Sequence, residues 1–167
     1  MEFMDVIRKR RSIRKYRAEK IPEAKMANIL ESVRLAPSGS NRQPWKFIVV
    51  RDKEKKAKLA EAANKQMWTA EADFIAVCCW LPVQGIEEMR LRRDVTIATE
   101  HLVLAAANEG LGACWIGAFN VDSVRSVLGL PQDVGVNSLV AVGYPAEEGR
   151  PKITKKLEEI VSYDSFG

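Results

Sequence analysis

The sequence is poor in the residues that most often perform chemistry directly. Among 167 residues there is one histidine, His101, and three cysteines, Cys78, Cys79 and Cys114, in no CxxC spacing. A disulfide framework needs paired cysteines and a zinc site needs clustered Cys and His, so neither fits. No apolar run approaches the roughly 18 residues of a membrane span; the stretch that begins at Phe74 already meets Pro82. The chain begins MEFMDVIRKRRS, with a basic run where a secretory signal would carry its apolar region. No secretory signal is expected, and the cytoplasm is the expected compartment. The spacings GxGxxG and GxxxxGK[ST] are missing as well. The close glycine pair Gly110 and Gly112 follows a helical pattern instead of opening one, which excludes those two phosphate cradles.

What is present describes an ordinary globular chain, 47% hydrophobic and 29% charged. The length points to a single domain over residues 1–167 that buries roughly 68–70% of its unfolded surface. Residues 3–11 suit a short amphipathic helix. Pro22 and Glu23 open the next, with Met26, Ile29, Leu30 and Val33 at helical spacing. Lys46–Arg51 is a strand, residues 53–64 form a helix with a solvated lysine face, and the apolar run Phe74–Leu81 is a buried strand. The longest helical pattern runs from Glu87 to Glu109. Ala113–Gly117 is a strand, Asn120 caps a helix through Leu128, and Val136–Tyr144 is a strand. Beyond Pro145 the tail is charged, yet Leu157, Ile160 and Val161 must pack on something, such as a second subunit.

Charge is concentrated at the chain ends. Residues 1–20 hold eight Lys/Arg against three acids, and the remainder holds eighteen against nineteen. A second cluster, Arg150, Lys152, Lys155 and Lys156, lies near the C-terminus. A solvated basic face and a bound small phosphate both account for this. A nucleic-acid arm accounts for it less well, because Tyr16 is the one aromatic interleaved with the first cluster.

Side-chain catalysis has little to work with. His101 falls inside the long helix and the cysteines fall in strands, where a buried thiol is inert. Such a chain suits an organic cofactor as the reactive group. Arg10, Arg11, Ser12 and Arg14 place three guanidinium forks and a hydroxyl within five residues, donors matched to phosphate oxygens. The run from Ala36 to Trp45 (APSGSNRQPW) is a proline-stiffened loop dense in neutral donors.

These segments resemble the nitroreductase family of flavoproteins. The resemblance rests on RRSIRKY (10–16), PSGSNRQPW (37–45), GLGACWIGAF (110–119), VGYPA (142–146) and the tail from Pro151 to Val161, in the family's order over nearly the whole chain. It implies an α+β fold: an α/β/α sandwich with a mostly antiparallel sheet flanked by helices and a C-terminal tail extending onto the partner subunit. It also implies a homodimer with non-covalent FMN at the subunit interface and NAD(P)H as reductant. Carried over, Arg10, Arg11, Ser12 and Arg14 would bind the FMN phosphate and ribityl chain. Pro37, Ser38, Gly39 and Asn41 of the other subunit would line the ring, with Gln43 close by, and Gln66 would face its pyrimidine side. Ile116 and Gly117 would place main-chain groups near the reactive N5, and Lys152 would close on the phosphate. Relatives often follow that Lys with an Arg two residues later. Here the position is Thr154, and Lys155 is the expected substitute.

The implied reaction passes a hydride from NAD(P)H through the flavin to a nitroaromatic, quinone or similar acceptor in a ping-pong sequence. Other chemistry on this fold, reductive dehalogenation or flavin cleavage, and a non-catalytic flavin-binding domain are the alternatives. No side chain is assigned a catalytic role, and neither a metal, nucleic acid nor a membrane is expected.

Overall fold

The computed structural model describes residues 2–166. Four strands form one sheet: β1 (Trp45–Val50), β2 (Phe74–Trp80), β3 (Gly112–Ile116) and β4 (Gly135–Gly143). Their order is β1-β2-β4-β3 and every pairing is antiparallel. The described residues form five helices, α1 (Phe3–Lys9), α2 (Glu23–Arg34), α3 (Lys53–Ala62), α4 (Glu88–Asn108) and α5 (Val121–Leu128), of which α1 packs on α4 and the others supply the cores on the two faces of the sheet. The result is the α+β sandwich expected from the sequence.

The apolar run of β2 is continuous because both of its faces are covered, as a central strand requires. Phe74, Ala76 and Cys78 point into one core with Met26, Ile29 and Val33 of α2 and Val95, Ala98, Leu102 and Ala106 of α4. Ile75, Val77 and Cys79 point into the opposite core with Leu59 of α3 and Val124 of α5. Small residues on α4 let this 21-residue helix lie close to the sheet. Asn120 caps α5 by accepting the Ser123 N–H at 2.8 Å, and Gly129 ends it in the left-handed conformation, φ 65°.

Some expectations change in detail. α1 stops at Lys9 instead of residue 11, because Arg10 turns extended (φ −53°, ψ 130°) so that Ser12 can bridge Ala113 in parallel beside β3. Leu30 sits 36% exposed, off the α2 core stripe. Lys56 is not on a solvated face: it is buried at 7% exposure, donating to the carbonyls of Ala72 and, at 3.2 Å, Asp73. Those two acceptors are what make a buried ammonium tolerable, although burial still lowers its pKa.

Candidate functional site

The chain ends meet at the β3 edge of the sheet. Residues 13–17 run beside the start of the tail through Arg17 N–H to Tyr144 O (2.9 Å), Ala146 N–H to Lys15 O (2.9 Å) and Arg14 N–H to Glu147 Oε1 (2.6 Å). Gly149 crosses directly over Arg11. A Cβ there would lie 2.7 Å from Arg11 Cβ, and its φ of 77° also favours glycine. Past this crossing the tail closes a pocket of about 290 Å³ lined by Arg10, Arg11, Ser12, Arg14, Arg150, Pro151, Lys152 and Ile153. Five of these residues are cationic, one carries a hydroxyl and none is acidic. Among the described residues, none of the five cations is ion-paired with a carboxylate. Arg11 is oriented by Nη1 donating to the carbonyls of Arg8 (2.6 Å) and Arg10 (2.9 Å). Arg14 holds its guanidinium 5.9 Å from the Trp68 ring centroid.

Glu147, bonded to the Arg14 amide, and Glu148 lie on the adjoining side of Arg10 and Arg11, but the five cations outnumber these two carboxylates, and a cluster with net positive charge favours an anion. The forks suit the oxygens of a phosphate dianion and the Ser12 hydroxyl adds a neutral donor. The donor set therefore fits a flavin mononucleotide phosphate. Sequence reasoning placed four of these groups and Lys152 here, but it missed Arg150. Exposed Lys155 does not line this pocket. The signal for Arg150 was its place in the tail's basic cluster, on the near side of Lys152.

The second segment, Pro37–Gln43, leads into β1 at the opposite sheet edge. Four interstrand spacings, about 19 Å, separate the line of β1 from that of Ser12. One chain therefore does not bring the two segments side by side. Ser40, Asn41 and Gln43 all have left-handed φ, at 52°, 54° and 51°. This conformation is costly outside glycine and Asn, and it tends to mark functional loops. Within the loop, Ser38 Oγ accepts the Gln43 N–H (2.9 Å), and Gln43 Nε2 donates to Asn41 O (3.1 Å) and Oδ1 (3.2 Å).

Strand register places this loop at the same end of the sheet as Ile116 and Gly117, since Trp45 faces Trp80, Trp80 faces Gly135 and Ile116 faces Leu139. Ile116 is buried. Gly117 is exposed, and a Cβ on it would meet no atom within 4 Å. Gln66 is half-buried and spends a donor on its own turn, Nε2 to Ala63 O at 2.9 Å. His101 Nδ1 lies 3.1 Å from Ser32 O inside the α2–α4 packing. Burial pushes the Cys78 thiol up to about 12 and that of Cys79 to about 11, and it raises Cys114 as well, so none is a nucleophile at neutral pH. No group of His, Cys, Asp and Glu among the described residues could hold a metal ion, and no helix there is long and apolar enough to cross a membrane.

The fold and site define a class: a helix-flanked antiparallel sheet with an anion-matched basic pocket at one edge. Comparison identifies the class. The model of the Nitroreductase family matches residues 7–81 and 84–144. A putative NADH dehydrogenase/NAD(P)H nitroreductase of Archaeoglobus fulgidus is 37% identical over 152 residues, covering 88% of this chain and 87% of its own. The structure of Bacillus megaterium NfrA2 superposes with a TM-score of 0.93 at 27% identity, over 100% of this chain and 76% of that one. The NADPH:FMN oxidoreductase of Vibrio harveyi, complexed with NAD+, gives 0.92 at 26% identity, over 99% and 78%. The chain belongs to the nitroreductase family and is, with it, an oxidoreductase.

Proposed function

We propose that this chain is a cytoplasmic FMN-dependent oxidoreductase, a single domain acting as a homodimer, that takes a hydride from NAD(P)H and passes it to a nitroaromatic, quinone or similar acceptor. The observation that carries the reading is the pocket of five unpaired cations and one hydroxyl closed by the tail. Its charge and donor geometry call for a phosphate dianion and are wasted on a neutral ligand. FMN, when bound, supplies the N5 position that receives the hydride and returns the reducing equivalents to the acceptor.

The chain's own residues bind and orient. Arg10, Arg11, Ser12 and Arg14 hold the phosphate end together with Lys152, while Arg150 supplies the tail guanidinium and Lys155 adds long-range charge. Pro37, Ser38, Gly39, Asn41 and Gln43 of the partner line the ring, Gln66 offers its free carbonyl to the pyrimidine side, and Ile116 and Gly117 present backbone groups at the sheet end. The bare Gly117 leaves room for a planar ligand to approach the main chain. Positioning of this kind, without an acid–base side chain, suffices for hydride transfer between stacked rings.

Two observations support the homodimer. The phosphate pocket and the ring-lining loop sit at opposite edges of one sheet, so two copies can complete a site that one cannot. The tail also exposes Ile153, Leu157, Ile160, Tyr163 and Phe166, each at 65% or more, an apolar surface that a second subunit would cover.

Anaerobic mixing of the FMN-loaded protein with NADH or NADPH tests the activity. The flavin band at long wavelength is expected to bleach and to return on adding a quinone or nitroaromatic. A flavin that stays oxidised with both nucleotides would overturn the NAD(P)H-dependent reading and leave the alternatives, other flavin chemistry or a flavin-binding domain.

A further inference from the structure

Asp94 lies in α4, in no contact with the basic pocket, and sequence reasoning gave it no role. It is a buried carboxylate at 7% exposure. No Lys or Arg lies within ion-pair distance of it among the described residues. The Arg42 guanidinium lies on the same side of Gly39 but beyond ion-pair distance, and a buried polar group needs a hydrogen-bond partner, so what Asp94 bonds to is informative. Its Oδ1 accepts the backbone N–H of Gly39 at 3.2 Å.

That bond has a particular place in the loop. The other hydrogen bonds made by residues 37–43 stay within the segment or its own continuation: Asn41 N–H to Ser38 O, Arg42 N–H to Gly39 O, Trp45 N–H to Gln43 O, and the Ser38 and Gln43 side-chain bonds. Among the described residues, Gly39 to Asp94 is the one hydrogen bond that ties this loop to another part of the fold. The loop carries three non-glycine residues with left-handed φ, so its shape is not one the sequence holds by local preference alone. The bond does not depend on residue 39 being glycine, because a Cβ there would be in ordinary contact with Asp94, 3.8 Å from Oδ2, and close only to the flexible end of Arg42, 3.1 Å from Nη2.

We infer that Asp94 is a positioning residue that anchors the ring-lining loop to α4 by accepting the Gly39 amide, and so acts on the partner subunit's flavin at its ring end. The inference rests on the proposed FMN site for its ligand, though not for its geometry. An acceptor at Oδ1 is what the loop uses. Asparagine retains that acceptor without the charge, whereas alanine removes it.

The test compares Asp94→Asn and Asp94→Ala with the parent protein, using FMN and riboflavin binding by fluorescence quenching and amide hydrogen exchange at Gly39 in the flavin-free protein. Asp94→Ala is expected to weaken FMN and riboflavin by the same factor, about tenfold, as for loss of one hydrogen bond to a charged group. It is also expected to speed exchange at Gly39. Asp94→Asn is expected to restore both readouts to within about threefold of the parent, a difference under 1 kcal/mol. Loss confined to FMN would place the effect at the phosphate end and overturn the inference. An Asn variant as damaged as Ala would show that charge and not the acceptor matters, and would overturn it too. If Asp94→Ala does not fold, Asp94→Ser, too short to reach the Gly39 amide, takes its place under the same criteria. A parent protein that binds neither flavin refutes the FMN reading by itself. Gly39 exchange in the two variants still decides the anchor.

Discussion

Arg14→Ala is the sharpest perturbation of the phosphate pocket. Five cations line it, and none is paired with a carboxylate in the described chain, so each is available to an anion. Truncating Arg14 leaves Arg10, Arg11, Arg150 and Lys152 in place. A hydrogen bond to a charged group is worth about 1.5–3 kcal/mol, so FMN affinity is expected to fall about ten- to a hundredfold. The exposed position of Arg14 favours the lower part of that range. The backbone bond from Arg14 N–H to Glu147 survives the substitution. The contact with Trp68 does not, and an exposed cation–π pair contributes about 0.5–1 kcal/mol. That second loss bears on the fold and would weaken every flavin alike. Riboflavin, which lacks the phosphate, separates the two. Titrations followed by flavin fluorescence are expected to give a large loss for FMN and at most a few-fold loss for riboflavin. Equal losses would mean that Arg14 acts through packing, and the phosphate role would have to be withdrawn.

Arg150→Ala is expected to weaken FMN about as much as Arg14→Ala, and Lys155→Ala distinctly less, because only the first lines the pocket; the reverse ranking in the same titration would return the tail contact to Lys155. Sedimentation at micromolar concentration is expected to give a mass near twice 18.7 kDa, and a monomer that still binds FMN tightly would contradict a site shared between subunits. Gly135→Ala would drive a Cβ to within 1.9 Å of Trp80 Cε2, so unfolding by urea is expected at lower concentration, by about 1–3 kcal/mol of overpacking, with altered tryptophan emission; an unchanged midpoint would mean that the ring moves aside freely. Burial raises the Cys78 and Cys79 thiols to about 12 and 11, while an unfolded thiol titrates near about 8.5. Above that pH the unfolded chain binds fewer protons than the native one, so stability is expected to fall as pH rises towards 11, and Cys78→Ala is expected to flatten the slope; stability that rises over this interval would refute the assignment.

Much of the fold was legible because periodicity reports burial. The run from Phe74 is unbroken because its alternate side chains feed two separate cores, and Asn120 and Gly129 bracket α5 through backbone chemistry that any sequence reading can use. What was not legible depends on distant partners. Nothing near Lys56 in sequence says that the carbonyls of Ala72 and Asp73 will receive its ammonium. Leu30 carries the helical spacing of the core, but α2 turns it outward. The Arg10–Arg14 cluster announced its chemistry because the donors are contiguous. Arg150 showed only as one of four basic residues in the tail, and Asp94 not at all, because each acquires its role through a segment far along the chain that the fold brings to it.

The central claim is that the joined chain ends bind the phosphate of FMN. It is tested most directly by titrating the flavin-free protein with FMN and with riboflavin at two salt concentrations and determining stoichiometry. The account expects one FMN per chain, strong preference over riboflavin, and a preference that shrinks as salt rises. FMN and riboflavin bound equally well at both salts, or no binding of either, would contradict it.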